Sequence, residues 1–109
     1  MKLLRRPDRP TAILALFDEI AVGIYHAARE LGLKIPEDLS VIGINNTDLS
    51  NRLIPGLTSM AQPFRAVGLR AVDILVLHNK FHEENCIKDE LLGTLVQRGS
   101  VAQNNKKVN

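Results

Sequence analysis

The apolar residues in the first half of the chain stand in continuous runs and do not alternate with polar residues. Residues 11–17 read Thr-Ala-Ile-Leu-Ala-Leu-Phe, and residues 39–44 read Leu-Ser-Val-Ile-Gly-Ile. Such runs are typical of parallel strands that are covered on both faces. Between them the pattern predicts a helix that ends at Gly32, in a left-handed conformation. Its inner face is formed by the apolar residues that recur at helical spacing, Ile20, Ile24, Ala27, Ala28 and Leu31. The pattern predicts a strand–helix–strand unit, with residues 57–60 as a third strand.

A long second helix is predicted from Gln62 to about His78, and it carries apolar side chains on two faces. One stripe consists of Phe64, Val67, Ala71, Ile74 and Leu75, and the other of Leu69, Val72 and Val76. A helix that is apolar on two faces needs cover on both. A small sheet in this chain can cover only one of them. We therefore expect the second stripe to pack against a partner chain or against polypeptide that this chain does not contain.

The remaining segments complete an α/β prediction in which a parallel sheet is flanked by helices. Residues 79–89 are polar, and residues 90–96 are predicted to form a last strand. The predicted organisation is a lead-in over residues 1–9, one domain over residues 10–101 and a disordered tail over residues 102–109.

Composition and charge narrow the class of protein. The 109 residues are 45% hydrophobic and 24% charged, which is ordinary for one globular core. With 14 Lys+Arg against 12 Asp+Glu the net charge is +2, without the basic stripe of a nucleic-acid-binding surface. No apolar run approaches the roughly 18 residues of a membrane span, and no signal-peptide pattern follows Met1. The single cysteine, Cys86, fits a reducing compartment, so we expect a cytoplasmic protein without a membrane partner.

Polar and aromatic side chains follow the predicted strands at the edge where ligands of open α/β sheets bind. Amides and carboxylates match the vicinal hydroxyls of a sugar, and an aromatic face packs on a sugar ring. A small polar ligand is therefore chemically reasonable. The alternatives are that the acidic residue only caps a helix and that the two asparagines only form a turn. The candidates are Phe17 and Asp18, then Asn45, Asn46 and Asp48, then Gln62, with Phe64 close by.

Metal binding and catalysis have weak sequence support. His78, His82 and Cys86 are spaced by four residues, which places the two imidazoles on one helical face as zinc would accept. The stretch is polar, and no fourth ligand follows at a spacing typical of zinc sites. A solvated helix end is therefore favoured, and no metal or cofactor is predicted. No phosphate-binding loop or nucleophile elbow occurs, so the chain is not predicted to be an enzyme.

Three segments carry a resemblance to a known family. Residues 10–23 (PTAILALFDEIAVG), 31–44 (LGLKIPEDLSVIGI) and 55–63 (PGLTSMAQP) are similar, in order and separation, to the lactose-repressor (LacI/GalR) family of bacterial transcription regulators. The resemblance implies the C-terminal part of an effector-binding domain, a partial periplasmic-binding-protein-like fold with one subdomain incomplete. It also implies that operator DNA is bound only through an N-terminal helix-turn-helix domain that this chain does not contain.

The resemblance also implies an effector crevice. The effector would be a sugar or a purine-like molecule. Phe17 stands where many members of the family have Asn, and Asn45 stands where they commonly have Asp. Both departures remove hydrogen-bonding capacity, so we expect weakened affinity for a sugar. The implied crevice residues are Phe17, Asp18, Asn45, Asn46, Gln62 and Phe64.

A homodimer is the third implication of the resemblance. The two-faced helix adds a further expectation, an intertwined dimer that exchanges residues 62–78. The alternative function is a sugar-binding module that acts without DNA, because periplasmic sugar receptors share the fold. The residues that match the family's dimer contact are Val22, Tyr25, His26, Arg29, Asn51, Arg52 and Leu53.

Overall fold

The computed structural model describes residues 2–81 and 88–103, and for residues 78–81 it describes the backbone alone. The described chain contains a four-stranded sheet in the order β1-β2-β3-β4, and β2 pairs in parallel with both β1 and β3. The strands are Ala12–Leu14 (β1), Ser40–Ile44 (β2), Thr58–Ala61 (β3) and Thr94–Val96 (β4). The helices are Asp18–Glu30 (α1), Asp48–Arg52 (α2) and Phe64–Phe81 (α3), preceded by a 3-10 turn, Leu3–Arg5. The predicted α/β class is confirmed.

The chain divides into two compact units. The first consists of Met1–Ala61 and Leu95–Asn109, and the second of Gln62–Thr94. Among the described residues, every buried hydrophobic side chain belongs to the first unit. That core comprises Leu4, Ala15, Ala21, Ile24, Ala27, Ala28, Leu39, Val41 and Leu57. Leu4 lies in the predicted lead-in, so this segment contributes to the core and is not merely polar.

Strand β1 of the first unit is packed on one face only. Strand β1 is three residues long where seven were predicted, although the Ala15 N–H still donates to the carbonyl of Ile42 at 2.7 Å. Ala15 is buried, whereas Leu14 and Leu16 on the opposite face are 67% and 61% exposed. The expectation that this run is covered on both faces is therefore wrong, because helix α1 covers only the face of Ala15.

Helix α1 begins and ends close to the predicted positions. Its C-terminus is closed by Gly32, whose φ is +68°. The N–H of Leu33 donates to the carbonyl of Ala28 at 2.9 Å, as in a Schellman motif. Two details differ from the prediction. Ile20 was placed on the inner face but is exposed, and Asp18 is the first helical residue without any bond to the first-turn amides.

The C-terminal segment returns to the sheet through Ser100, which is fully buried. Its hydroxyl donates to the carbonyl of Val41 at 2.6 Å and accepts from the N–H of Thr58 at 2.8 Å. Its carbonyl accepts from the N–H of Val41 at 2.9 Å. One serine thus joins the starts of β2 and β3. The predicted tail begins with a further bond, from the N–H of Ala102 to the Ser40 hydroxyl at 3.2 Å.

The second unit consists of helix α3 and the segment that precedes β4. None of its described side chains is buried. On the second predicted stripe, Val72 and Val76 are each 58% exposed, which confirms that this stripe is uncovered. The expectation that the first stripe is covered is wrong, because Phe64, Val67 and Leu75 are exposed as well.

Two further features concern the same unit. The predicted last strand, residues 90–96, is regular only over Thr94–Val96. Arg70 donates a side-chain hydrogen bond to Asp89, and this bond lowers the pKa of the Asp89 carboxyl. No helix in the described part of the chain is long and apolar enough to cross a membrane.

Candidate functional site

The candidate residues of the first unit lie at the carboxyl edge of its parallel strands. Phe17 and Asp18 follow β1, and Asn45 and Asn46 follow β2, its neighbour in the sheet. Because parallel strands end at the same edge, the two pairs share that edge. The Phe17 side chain is 44% exposed, so its ring is accessible.

Asp18 is fully buried and acts as the anchor of the edge. Its Oδ2 atom accepts from the backbone N–H of Thr47 at 2.6 Å and from the Thr47 hydroxyl at 3.1 Å. Its Oδ1 atom accepts from the Ser59 hydroxyl at 2.6 Å. The carboxylate therefore ties the loop after β2 to strand β3. In this arrangement Asp18 positions the loop and has no surface of its own to offer a ligand.

Gly43 is the residue that leaves room for this carboxylate. A Cβ atom at position 43 would stand 2.2 Å from Asp18 Oδ1 and 2.8 Å from a methyl group of Leu57. Both distances are below any real contact, so the buried carboxylate requires glycine at this point of β2. The sequence analysis missed this pairing, because residues 18 and 43 are joined only by the packing of α1 on the sheet.

The loop after β2 holds two consecutive asparagines in left-handed backbone conformations. The φ angles are 100° at Asn45 and 51° at Asn46. Asparagine tolerates this region better than most residues, and such conformations cluster at ligand sites. Two bonds to β3 hold the backbone. The Asn45 N–H donates to the carbonyl of Met60 at 2.8 Å, and the Asn46 N–H donates to the Ser59 hydroxyl at 3.0 Å.

Arg98 is a site residue that the sequence analysis missed. Its Nη2 donates to Asn46 Oδ1 at 2.7 Å, its Nε to Asn51 Oδ1 at 2.9 Å, and its Nη1 to the carbonyl of Leu57 at 2.8 Å. Its backbone N–H donates to the Thr58 hydroxyl at 2.9 Å. All four partners are at least 40 positions away in sequence, so no local pattern signals the role.

Gln62 and Phe64 belong to the second unit, and the rest of the predicted crevice belongs to the first. Both side chains are exposed, with Gln62 directly after β3 and Phe64 as the first residue of α3. The first unit therefore brings together Phe17, Asp18, Asn45 and Asn46 of the six predicted crevice residues.

The predicted dimer contact falls largely on one surface of the first unit. Six of its seven residues line an open cavity of about 770 Å³. They are Val22, Tyr25, His26, Arg29, Arg52 and Leu53. The seventh, Asn51, is instead bonded to Arg98.

Tyr25 is a half-buried member of this surface. Its hydroxyl donates to the carbonyl of Pro55 at 2.9 Å, and burial raises the pKa of the phenol above its ordinary value. His26 lies one helical turn from Glu30, with 3.6 Å between imidazole nitrogen and carboxylate oxygen.

The considered metal ligands His82 and Cys86 lie outside the described residues, as does the side chain of His78. Within the part of the chain that the structure describes, no three histidine, cysteine or acidic side chains form a group that could hold a metal ion.

Comparison with known proteins finds relatives along nearly the whole chain. The family described as periplasmic binding protein-like domain matches residues 1–101. The HTH-type transcriptional repressor PurR of Vibrio vulnificus (strain CMCP6) is 40% identical over 108 residues, 99% of this chain and 31% of that protein. The ribose operon repressor of Haemophilus influenzae is 39% identical over 99 residues, 91% of this chain and 30% of that protein. The chain thus spans about a third of the length of these relatives.

Solved structures give the same assignment. The structure of a LacI family transcriptional regulator from Enterococcus faecalis V583 with bound ribose superposes with a TM-score of 0.77 at 35% identity. The match covers 93% of this chain and 37% of that chain. The expected fold and resemblance are confirmed. The chain belongs to the periplasmic binding protein-like domain family, and its domain is of the kind that LacI-family transcriptional repressors contain.

Proposed function

We propose that this chain is the C-terminal effector-binding and dimerisation part of a cytoplasmic transcriptional repressor, and that its effector is a sugar or a similar small polar molecule. The observation that carries the proposal is the fixed loop after β2. Asn45 and Asn46 hold left-handed conformations there, and the buried Asp18 anchors the loop through Thr47. A rigid pair of amides beside an accessible phenyl ring is suited to a small ligand with several hydroxyl groups.

Ribose is the most direct probe of this proposal. One related regulator structure contains bound ribose, and one relative is a ribose operon repressor. Phe17 and Asn45 replace groups that would bond sugar hydroxyls in the family pattern. Each lost hydrogen bond weakens binding by about 1 kcal/mol. The expected affinity of this chain is therefore low, with a dissociation constant in or above the millimolar range, about 4 kcal/mol of binding free energy or less.

Nuclear magnetic resonance detects binding of this strength. We expect ribose to shift the backbone and side-chain amide signals of Asn45 and Asn46 and the ring signals of Phe17. Signals of His26 and Arg29, which line the cavity further along helix α1, should stay in place and serve as the internal control. Titrations with ribose and then with other soluble sugars that leave all three site residues unshifted would contradict the proposed binding.

The dimerisation part of the proposal rests on the cavity beside α1. Val22 and Ile54 are exposed apolar residues at this cavity, and Ile54 is 92% exposed. Exposed apolar side chains around a concave surface are typical of a protein–protein contact. The isologous contact of a two-fold dimer would place this cavity against its copy, and an intertwined form would also exchange residues 62–78.

Sedimentation with matched variants tests the dimer and its form. We expect wild-type chain to associate, and Ile54→Asp to shift the equilibrium to monomer because a charge then faces the apolar contact. The substitution Leu92→Asp is the control, since it places the same charge at another exposed leucine. If Val72→Asp dissociates the dimer and Ile54→Asp does not, exchange of α3 is the better description. A wild-type chain that sediments only as monomer would refute dimerisation.

DNA binding is assigned to other parts of such a repressor. The net charge of +2 gives the chain little attraction for phosphates. We expect gel-shift titration with duplex DNA at stated salt to give at most weak, sequence-independent retardation. Tight, sequence-specific retardation by these 109 residues would contradict the proposal.

A further inference from the structure

The orientation of the Asn46 side-chain amide is fixed by Arg98. Arg98 Nη2 donates to Asn46 Oδ1 at 2.7 Å. The Ser50 hydroxyl lies 3.3 Å from the same oxygen, but its single proton is donated to the nearer carbonyl of Thr47, at 2.7 Å. A guanidinium can only donate hydrogen bonds, so the amide atom that faces it must be the oxygen. The nitrogen is therefore held on the other side.

The Asn46 amide nitrogen has no hydrogen-bond partner among the residues that the structure describes. Asn46 is half-buried, and no buried side-chain nitrogen or oxygen in the described chain lacks a partner. The nitrogen consequently reaches solvent at the carboxyl edge of the sheet. It presents two N–H donors and no acceptor.

We infer that Arg98 is a positioning residue of the effector site, which turns Asn46 so that this position donates hydrogen bonds and takes an acceptor group of the ligand, a hydroxyl, ether or carbonyl oxygen. The inference rests on the proposed function and specifies the chemistry of the same site. The guanidinium suits this role because its three nitrogens bind three elements at once. It bridges the loop after β2, helix α2 at Asn51 and the strand entry at Leu57. A single amine could not reproduce that geometry.

A double-mutant cycle tests the orientation without any ligand. Asn46→Asp keeps an acceptor toward Arg98 and adds charge, so the thermal midpoint should rise in the presence of Arg98. In the Arg98→Met background the same substitution should give no rise. Asn45→Asp is the matched control for stability, because none of the bonds of Arg98 goes to Asn45. A rise that is equal with and without Arg98, or equal for Asn45→Asp, would overturn the orientation.

A ribose titration tests the donor role. In wild-type chain, the two side-chain N–H signals of Asn46 should shift downfield as they donate to the sugar. In Arg98→Met, and also in Arg98→Lys, this shift should fall at least about twofold while the shift of Phe17 remains. Shifts of Phe17 and Asn45 without any shift of the Asn46 N–H signals would overturn the donor role and leave the proposed function in place. Absence of all shifts would overturn the proposed function and the donor role together, and the cycle would still decide the orientation.

Discussion

The two units of this chain have similar shares of apolar sequence but very different burial. The first unit encloses nine buried hydrophobic side chains and a buried carboxylate, Asp18. The second unit has no buried side chain in its described part, although α3 carries leucine and valine on two faces. Apolar sequence alone therefore does not make a core. An apolar stripe becomes buried only where other elements of the structure pack against it.

The two units also differ in how tightly contacts with neighbouring atoms constrain individual residues. In the first unit, the Asp18 carboxylate depends on Gly43, which leaves room for it, and on the Ser59 hydroxyl, which donates to it at 2.6 Å. In the second unit, the ion pair among the described residues is that of Arg70 and Asp89, and it lies at the surface. Matched substitutions in the two units should differ in size and, for glycine, in sign.

The largest effect is expected for a methyl group added to a glycine. Gly43→Ala should lower the free energy of unfolding by about 4 kcal/mol, because overpacking is combined with displacement of a hydrogen-bonded carboxylate. Gly68→Ala in α3 is the control, since nothing lies within 4 Å of its added Cβ. It should stabilise the helix by about 0.5–1 kcal/mol. If urea titrations show that both substitutions change the free energy of unfolding in the same direction, the proposed difference between the two units is contradicted.

Leucine truncation is expected to give the next largest difference. Leu39→Ala removes a side chain with 0% exposure and should cost about 3 kcal/mol through lost burial and a cavity. Leu75→Ala removes a side chain that is 62% exposed, so its cost should stay below about 0.5 kcal/mol. Chemical denaturation followed by circular dichroism measures both. Similar costs would mean that α3 is buried in solution.

Replacing the buried carboxylate of Asp18 by an amide should lower the free energy of unfolding by about 2 kcal/mol. Asp18→Asn retains the shape of the side chain but turns one acceptor into a donor opposite Ser59 or Thr47. Asp48→Asn is the matched control at an exposed position and should change the free energy of unfolding by less than about 0.5 kcal/mol. Equal effects of the two substitutions would remove Asp18 from its role as anchor.

The smallest effect is a dependence on alkaline pH. Burial raises the pKa of Tyr25 in the folded chain, so stability is fully present below the ordinary value of about 10 and is lost as pH rises through the folded pKa. Tyr25 is the single tyrosine, so phenolate absorbance reports it alone. The midpoint in folded chain should exceed that in urea. A lower or equal midpoint would contradict the burial, and Tyr25→Phe should abolish the signal.

Much of the fold followed from the sequence because its signals are local. The run at residues 39–44 and the stop at Gly32 predicted β2 and the end of α1 within a residue or two. The covered face of β1 could not be predicted, because a run of apolar letters does not tell whether Leu14 and Leu16 have cover. The exposure of Ile20 could not be predicted either. Helical spacing shows which residues share an apolar face, but it does not show which of them lie at the edge of that face.

The sequence predicted which residues lie at the candidate site, but it did not predict the contacts that hold them in place. The edge rule selected Phe17, Asp18, Asn45 and Asn46 from strand order alone. The carboxylate could be read as a helix cap or as a ligand contact, and its bonds to Thr47 and Ser59 require the assembled sheet. Arg98 lies in the last segment of the chain, and its contacts exist only after that segment has packed against the first unit.

Native-state hydrogen exchange tests the contrast between the two units most directly. At a concentration where the chain is monomeric, the amides of Val41 and Ile42 in β2 should exchange only with global unfolding. The amides of Leu69 to Val76 in α3 should exchange much faster, since that helix lacks buried side chains. Protection of α3 equal to that of β2 in the monomer would contradict the account.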